Sequence, residues 1–317
     1  MKISKYLNIS RIEFIVTASC TGRCKHCSFI DRVEGKVLDG YHSVIKEKAE
    51  ELIEKLSKYF EIDSVMTFGG EPLLYPETVA AIHSKACRCG IKKRQIITNG
   101  YFTNEEKRAE EVASMLKEAG VNDLLLSMDA FHQERIPLEK VKLFMNALKE
   151  KEINTRLSPA WVVNKSFKND YNCKTKAILK ELSEFNFPEG EGNNIFLSGN
   201  AIKYLSEFYE KEELDLNSKC GGMPYTDKLT NITSLSLEPN GDLIACAFKI
   251  GNIYKESIED ILSRYDPYEN RLMRVLTDGC AADLLSYIAE NRIDIDISGA
   301  QNICDICRKL NKYCDLK

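Results

Sequence analysis

Along the first two thirds of the chain, short apolar runs alternate with stretches whose apolar residues recur every three or four positions. The short runs read as strands over Ile12–Thr17, Ser64–Phe68, Gln95–Thr98, Asp123–Ser127, Asn154–Val163 and Asn194–Ser198. Pro159 interrupts the fifth, because proline offers no N–H to a ladder. The periodic stretches read as helices over Tyr41–Tyr59, Glu77–Cys87, Asn104–Ala119, Leu138–Lys151, Lys174–Phe185 and Ala201–Glu210. Pro137 suits the start of the fourth helix, and Gly90 and Gly120 stand where helices stop. Six strand–helix units in series predict a parallel sheet with helices outside. An open doubly wound sheet and a full or partial barrel both satisfy that pattern.

The character changes after about residue 215. Leu235–Glu238, the turn Pro239-Asn240-Gly241-Asp242 and Leu243–Cys246 read as a β-hairpin. A short helix is expected over Ser257–Arg264. These shifts predict two domains, 1–215 and 216–317.

Composition narrows the classes. The 317 residues are 44% hydrophobic and 29% charged, with a net charge of −4 and a pI near 5.8. That mix buries a large core. Without a long basic stripe, nucleic acid is not an expected partner. No run approaches the ~20 apolar residues that span a bilayer, so no membrane partner is expected. The start, MKISKYLNISRIEF, lacks a signal-peptide apolar run, so a cytoplasmic location is expected, and no separate leader-binding domain is expected ahead of the first strand. Twelve cysteines are the anomaly. In a reducing compartment clustered thiols bind metal more often than they form disulfides.

Cys20, Cys24 and Cys27 follow directly on the first strand, at its C-terminal end. Loops at that end of parallel strands converge on one mouth. Thiolates three and two residues apart can wrap one iron–sulfur cluster and leave one iron open. Zinc and free thiols are the other readings of the spacing; zinc wants a fourth ligand, which the adjacent His26 reaches awkwardly. Further on, Cys220 precedes the hairpin, Cys246 closes it, and Cys304-x2-Cys307 lies near the end. Two separated cysteine pairs also suit an S4 zinc site. Cys87, Cys89 and Cys173 read as ordinary thiols.

Cys20-x3-Cys24-x2-Cys27 after a first strand resembles the signature of the radical S-adenosylmethionine (SAM) superfamily. The residue before the third cysteine is usually aromatic in that family; here it is His26, whose flat ring suits the same packing role. Thr67-Phe68-Gly69-Gly70-Glu71-Pro72, at the end of strand two, is similar to the family's GGEP motif, whose backbone contacts the SAM amino group. The resemblance implies a partial (β/α)6 barrel, an α/β fold. It implies a 4Fe–4S cluster on Cys20, Cys24 and Cys27 whose open iron binds SAM, which is cleaved reductively to a 5′-deoxyadenosyl radical that abstracts a substrate hydrogen. It places Gly69, Gly70, Glu71, Asn99, Ser127, Asp129, Arg156 and Ser198 around SAM, with His132 and Gln133 in the same mouth. Ser158 shares the fifth strand with Arg156. An electron donor such as flavodoxin or ferredoxin is implied.

The C-terminal cysteines look like the SPASM/twitch extensions of the same superfamily, in the single-cluster twitch form. That likeness implies a second, auxiliary 4Fe–4S cluster on Cys220, Cys246, Cys304 and Cys307, in a small C-terminal iron–sulfur domain. Cys280 or Cys314 could replace a missing ligand, and Cys280 is by elimination a candidate hydrogen-atom donor. The expected function is modification of a ribosomally made peptide by crosslink, thioether or epimerisation. Dehydrogenation of a small alcohol substrate is the second expectation. A non-catalytic zinc- or cluster-binding protein is the third.

Overall fold

The computed structural model describes residues 2–30, 39–210, 213–223, 226–297, 300 and 302–310; Cys314 lies outside the described residues. Five parallel strands open the fold: β1 (Leu7–Thr17), β2 (Ser64–Gly69), β3 (Lys93–Thr98), β4 (Asp123–Ser127) and β5 (Thr155–Ser158). Helices α1 (Lys46–Tyr59), α2 (Pro76–Arg88) and α3 (Glu106–Glu118) follow the first three strands. After β4 come one short turn, α4 (Ala130–Gln133), and then α5 (Leu138–Glu150). Each long helix turns one apolar stripe to the sheet, such as Ala49, Leu52, Ile53 and Leu56 of α1. The expected α/β fold with a parallel sheet and helices outside is the one observed, curved as a partial barrel.

The fifth expected strand breaks where Pro159 stands. β5 stops at Ser158, and β6 (Ala160–Trp161) leaves the main sheet to pair with β7 (Asn193–Asn194) in a separate two-stranded sheet. The sixth strand is thus shorter than its sequence run. Helix α6 (Asp170–Glu181) joins these two strands, and α7 (Asn200–Leu205) follows them.

The C-terminal segment does not start a sheet of its own. β8 (Ile232–Leu237) and β9 (Asp242–Ala245) form the expected hairpin, continued by β10 (Phe248–Asn252). Yet β8 also pairs in parallel with β1, Leu7 against Ile232 and Phe14 against Leu237. The main sheet therefore runs β10-β9-β8-β1-β2-β3-β4-β5, with β1 inside it. This pairing explains why β1 begins at Leu7 rather than Ile12. The boundary expected at 215/216 falls inside one continuous sheet and one apolar core, which runs from Phe14 and Leu52 to Leu243, Ile261 and Ile306. Helices α8 (Ile258–Arg264), α9 (Arg271–Asp278), α10 (Ala281–Glu290) and α11 (Ile303–Leu310) complete the chain. No helix among the described residues is long and apolar enough to cross a membrane.

Candidate functional site

At the end of β1 the Thr17 hydroxyl accepts from the Ser19 N–H at 3.0 Å and donates to the His42 carbonyl at 2.6 Å, turning the chain into the cysteine loop. The glycine motif after β2 locks that loop. Gly70 N–H donates to the Thr17 carbonyl and Glu71 N–H to the Ser19 carbonyl, both at 2.8 Å. A Cβ on Gly70 would lie 2.0 Å from the Ser19 oxygen, so only glycine allows the approach. From the other side, Asn200 donates its side-chain N–H to the Cys24 carbonyl and its backbone N–H to the Cys27 carbonyl, both at 3.0 Å. The sequence run Ser198-Gly199-Asn200 suggests a border for the adenine, and this hold of Asn200 on the cysteine loop is not legible there, because its partner is 176 residues away.

The three thiols fit a cluster. A Cβ on Gly22 would sit 3.3 Å from Cys24 Sγ and 3.7 Å from Cys20 Sγ, so glycine keeps open the hollow that two thiols border. Burial pushes the Cys20 thiol up to about 12, with Glu71 and the other two cysteines adding to it. A bound metal reverses that cost by holding the sulfurs as thiolates. A single zinc ion fits less well. Its ~2.3 Å bonds bring sulfurs to ~3.8 Å of one another. Among the described residues, the one group whose donor atoms all lie within 4.8 Å is His26, Asp129 and His132, and neither cysteine set draws that close.

That trio lines the mouth beside the cysteines. Asp129 caps α4, accepting from the backbone N–H groups of Phe131 and His132 at 3.0 Å. It also takes the Ala160 N–H at 3.1 Å and faces His132 Nδ1 at 2.9 Å with each oxygen. Burial alone would lift this carboxyl, but the His132 ring beside it holds it at about 2. Burial also disfavours charge on His132, yet Asp129 raises its pKa well above the ordinary value. His26 packs against Phe131 at 4.9 Å and edge-on to His132 at 5.0 Å, and burial pushes it down to about 4. Its ring therefore has the packing surroundings expected of the residue before Cys27.

Ser127, Asp129, Ser158 and Ser198 line one cavity at this mouth. Three other expected SAM contacts have their side chains engaged elsewhere. Glu71 is fully buried and turns inward, accepting from Thr98 Oγ1 at 2.6 Å, Asn99 N–H at 2.8 Å and Leu73 N–H at 2.9 Å. Asn99 gives its amide to Thr21 Oγ1 at 3.1 Å and Cys20 Sγ at 3.8 Å, so it holds the cysteine loop. Arg156 is engaged too. It sits lower on β5 in a bidentate pair with Asp123 at 2.8–3.0 Å and is not on the cavity wall. Ser158, two residues on and so on the same face of β5 but at its C-terminal end, lines the cavity instead.

The same cavity is lined by Cys220, Cys246, Cys304 and Cys307. Cys246 sits between β9 and β10 with φ of 56°, the left-handed region, which turns the chain sharply at that point. Cys304 and Cys307 lie one turn apart on α11. Burial pushes the Cys220 thiol up to about 12, and Cys246 and Cys304 are close enough to add to it. Cys280 is absent from this wall. Its thiol caps α10 and bonds Asp283 Oδ2 at 3.2 Å, so the structure supports neither expected role for it. The described cysteines form no disulfide among themselves.

A parallel sheet whose first strand ends in a three-thiol loop, locked by a glycine motif from the second strand, defines a radical SAM domain. Residues 14–163 match the Radical SAM superfamily, so the chain carries a radical SAM domain. Such a domain implies a 4Fe–4S cluster and SAM. Among curated relatives, the GTP 3′,8-cyclase of Aquifex aeolicus is 28% identical over 57% of this chain and 55% of its own. Those of Moorella thermoacetica and Listeria monocytogenes are 24% and 30% identical, over 40% and 42% of this chain and 36% of theirs. The chain thus spans 36% to 55% of the length of these relatives. Among solved structures, BtrN in complex with AdoMet and 2-DOIA is 16% identical, with 86% of this chain and 88% of that one covered and a TM-score of 0.47.

Proposed function

We propose that this enzyme oxidises a small hydroxylated molecule by two electrons, in the cavity lined by its C-terminal cysteines and by the neighbours of Cys27. The observation that supports this reading is that Cys220, Cys246, Cys304 and Cys307 line a cavity of about 1500 Å³ whose wall also carries His26 and Ser28, the two neighbours of Cys27. Ligand pockets commonly hold ~300–1,000 Å³, so there is room for SAM and a second small molecule. When bound, SAM and the first cluster supply a carbon radical that removes one hydrogen atom. Loss of a further proton and electron from an alcohol carbon then leaves a carbonyl. The wall offers carboxylates for the proton, and Cys220, Cys246, Cys304 and Cys307 would hold a second 4Fe–4S cluster for the electron. Four protein thiolates leave no iron open to substrate, which suits an electron acceptor.

The wall also argues against a nucleotide triphosphate, the substrate in the relatives' name. Phosphates are gripped by Arg and Lys. Among the described lining residues Arg308 is the one such side chain, and Asp305 lies 3.7 Å from it. Asp129, Glu210, Asp215 and Glu238 line the same cavity and would repel a polyphosphate.

Peptide modification is the second reading. Phe196 is 49% exposed on the cavity rim, with Ile202 and Leu216 equally exposed in the segments beyond. Such a rim would suit the apolar side chains of a peptide. Anaerobic incubation of the reconstituted enzyme with SAM, dithionite and a panel of deuterated polyols and peptides separates the two. Deuterium in 5′-deoxyadenosine from a polyol, with a carbonyl product, is expected. Transfer from peptides alone overturns the alcohol reading.

A further inference from the structure

We propose that Ser236 sets the ligand preference of the cavity: held by Glu13 in an accepting orientation, it takes a hydrogen bond from the substrate hydroxyl and has no proton for the product carbonyl. The inference rests on the alcohol reading above. Ser236 stands on β8 and lines the cavity. Its hydroxyl donates to Glu13 Oε2 at 3.1 Å. Arg11 Nε donates to the other Glu13 oxygen at 2.6 Å, so this carboxylate is ion-paired as well. A carboxylate only accepts, and a hydroxyl has a single proton. The proton of Ser236 is therefore committed to Glu13, and its lone pairs are what a ligand in the cavity meets.

The row of side chains behind Ser236 fixes this polarity. In the sheet Glu13 stands opposite Ser236 and Met66, and Gln95 stands opposite Met66 and Asp123. Glu13 and Gln95 come two residues before Ile15 and Ile97, which line the cavity. They share that face, one step farther from the mouth. Arg11 also donates to Gln95 Oε1 at 3.3 Å and to Met66 Sδ at 2.9 Å. Gln95 Nε2 donates to Asp123 Oδ2 at 2.7 Å, and Arg156 closes on the same carboxylate. Barrel interiors are filled mainly by branched apolar side chains. Here two carboxylates and two guanidiniums are linked across the strands instead. Such a chain of paired groups, ending on one cavity hydroxyl, fixes the direction of that hydroxyl; apolar side chains of equal bulk would leave it free to turn. An alcohol can donate to the lone pairs of Ser236. The carbonyl formed from it has lost that donor and sets lone pair against lone pair. Ser236 thus retains the reduced ligand and releases the oxidised one.

The test uses the reconstituted full chain with SAM and without reductant, under anaerobic conditions. The probes are the polyol that transfers the most deuterium in the panel above and its own carbonyl product. In Glu13→Gln, Arg11 keeps the amide oxygen, the amide NH2 faces Ser236, and the hydroxyl turns its proton into the cavity. Equilibrium binding is expected to show a roughly tenfold weaker polyol Kd in this variant and a tighter Kd for the carbonyl compound. Ser236→Ala is expected to weaken the polyol alone, and Ser236→Thr to restore the wild-type preference. Loss of general structure would weaken both ligands together, so changes of opposite sign report on polarity. Equal weakening of both ligands, or an unchanged preference in Glu13→Gln, overturns the proposal. If Glu13→Gln does not fill its iron sites, Ser236→Ala against Ser236→Thr decides, and the same Kd ratio in both overturns it. Failure of the alcohol reading shows separately, as a wild type that converts no polyol to a carbonyl compound, and it removes this inference as well.

Discussion

The two cysteine sets are assembled in opposite ways. Cys20, Cys24 and Cys27 sit within eight consecutive positions at the end of one strand. A few backbone hydrogen bonds from Gly70, Glu71 and Asn200 hold that loop. Cys220, Cys246, Cys304 and Cys307 come from three separate segments and meet only once β8 has paired with β1 and α11 has packed on the shared core. The first site is a local device on a strand end. The second is a product of the whole fold, so damage to it should leave the first intact.

The largest expected effect is at the first site. Cys24→Ala is expected to drop 5′-deoxyadenosine formation below detection and to lower iron from about eight to about four per chain. Cys246→Ala combined with Cys304→Ala sharpens the comparison. It is expected to remove the same ~four irons, yet SAM cleavage should stay within roughly tenfold of wild type while substrate oxidation falls at least ~100-fold. Equal loss of both activities, with iron still near four, would mean that the two sites are one functional unit.

Smaller effects probe the lock on the first loop. Gly70→Ala forces the Ser19 backbone to shift, because the new Cβ falls 2.0 Å from its oxygen. A roughly tenfold weaker SAM Kd is expected, ~1.4 kcal/mol, measured by equilibrium binding to the filled enzyme. Smaller still is the pH dependence that Glu71 adds. Burial lifts its carboxyl from 4.5 to about 7, against the pull of its three hydrogen bonds. The folded chain then holds a proton that the unfolded chain releases between those values. Its contribution to stability is therefore full below pH 4.5 and lost as pH rises through 7. Denaturant unfolding of Glu71→Gln is expected to show a flatter profile between pH 5 and 8 than wild type, and an equally steep one would assign the dependence to other groups.

How far the sequence could be read depended on the distance between partners. The strands β2, β3 and β4 follow their apolar runs within two residues at each end, because local alternation and burial agree there. The broken fifth strand follows from Pro159, a local cause. Arg156 was misplaced because nothing near it in the sequence announces Asp123, its partner across the strands. Asn99 and Asn200 were legible as strand-end and helix-start polar residues, but not as holders of the cysteine loop. His132 was visible as a loop histidine, and its pairing with Asp129 was not.

The sequence by itself determined the βα alternation, the hairpin after residue 230 and the radical SAM signature with its glycine motif. Each of these is written in short-range spacing, where backbone geometry and side-chain periodicity leave little freedom. Only the tertiary structure decided that the C-terminal hairpin extends the barrel sheet. The same fold alone gathered four distant cysteines on one cavity wall and sent Arg156 to Asp123 rather than to the mouth. Those outcomes depend on which strand edge and which buried charge find each other across 30 to 240 or so positions, and that choice is made by packing and pairing rather than by any local pattern.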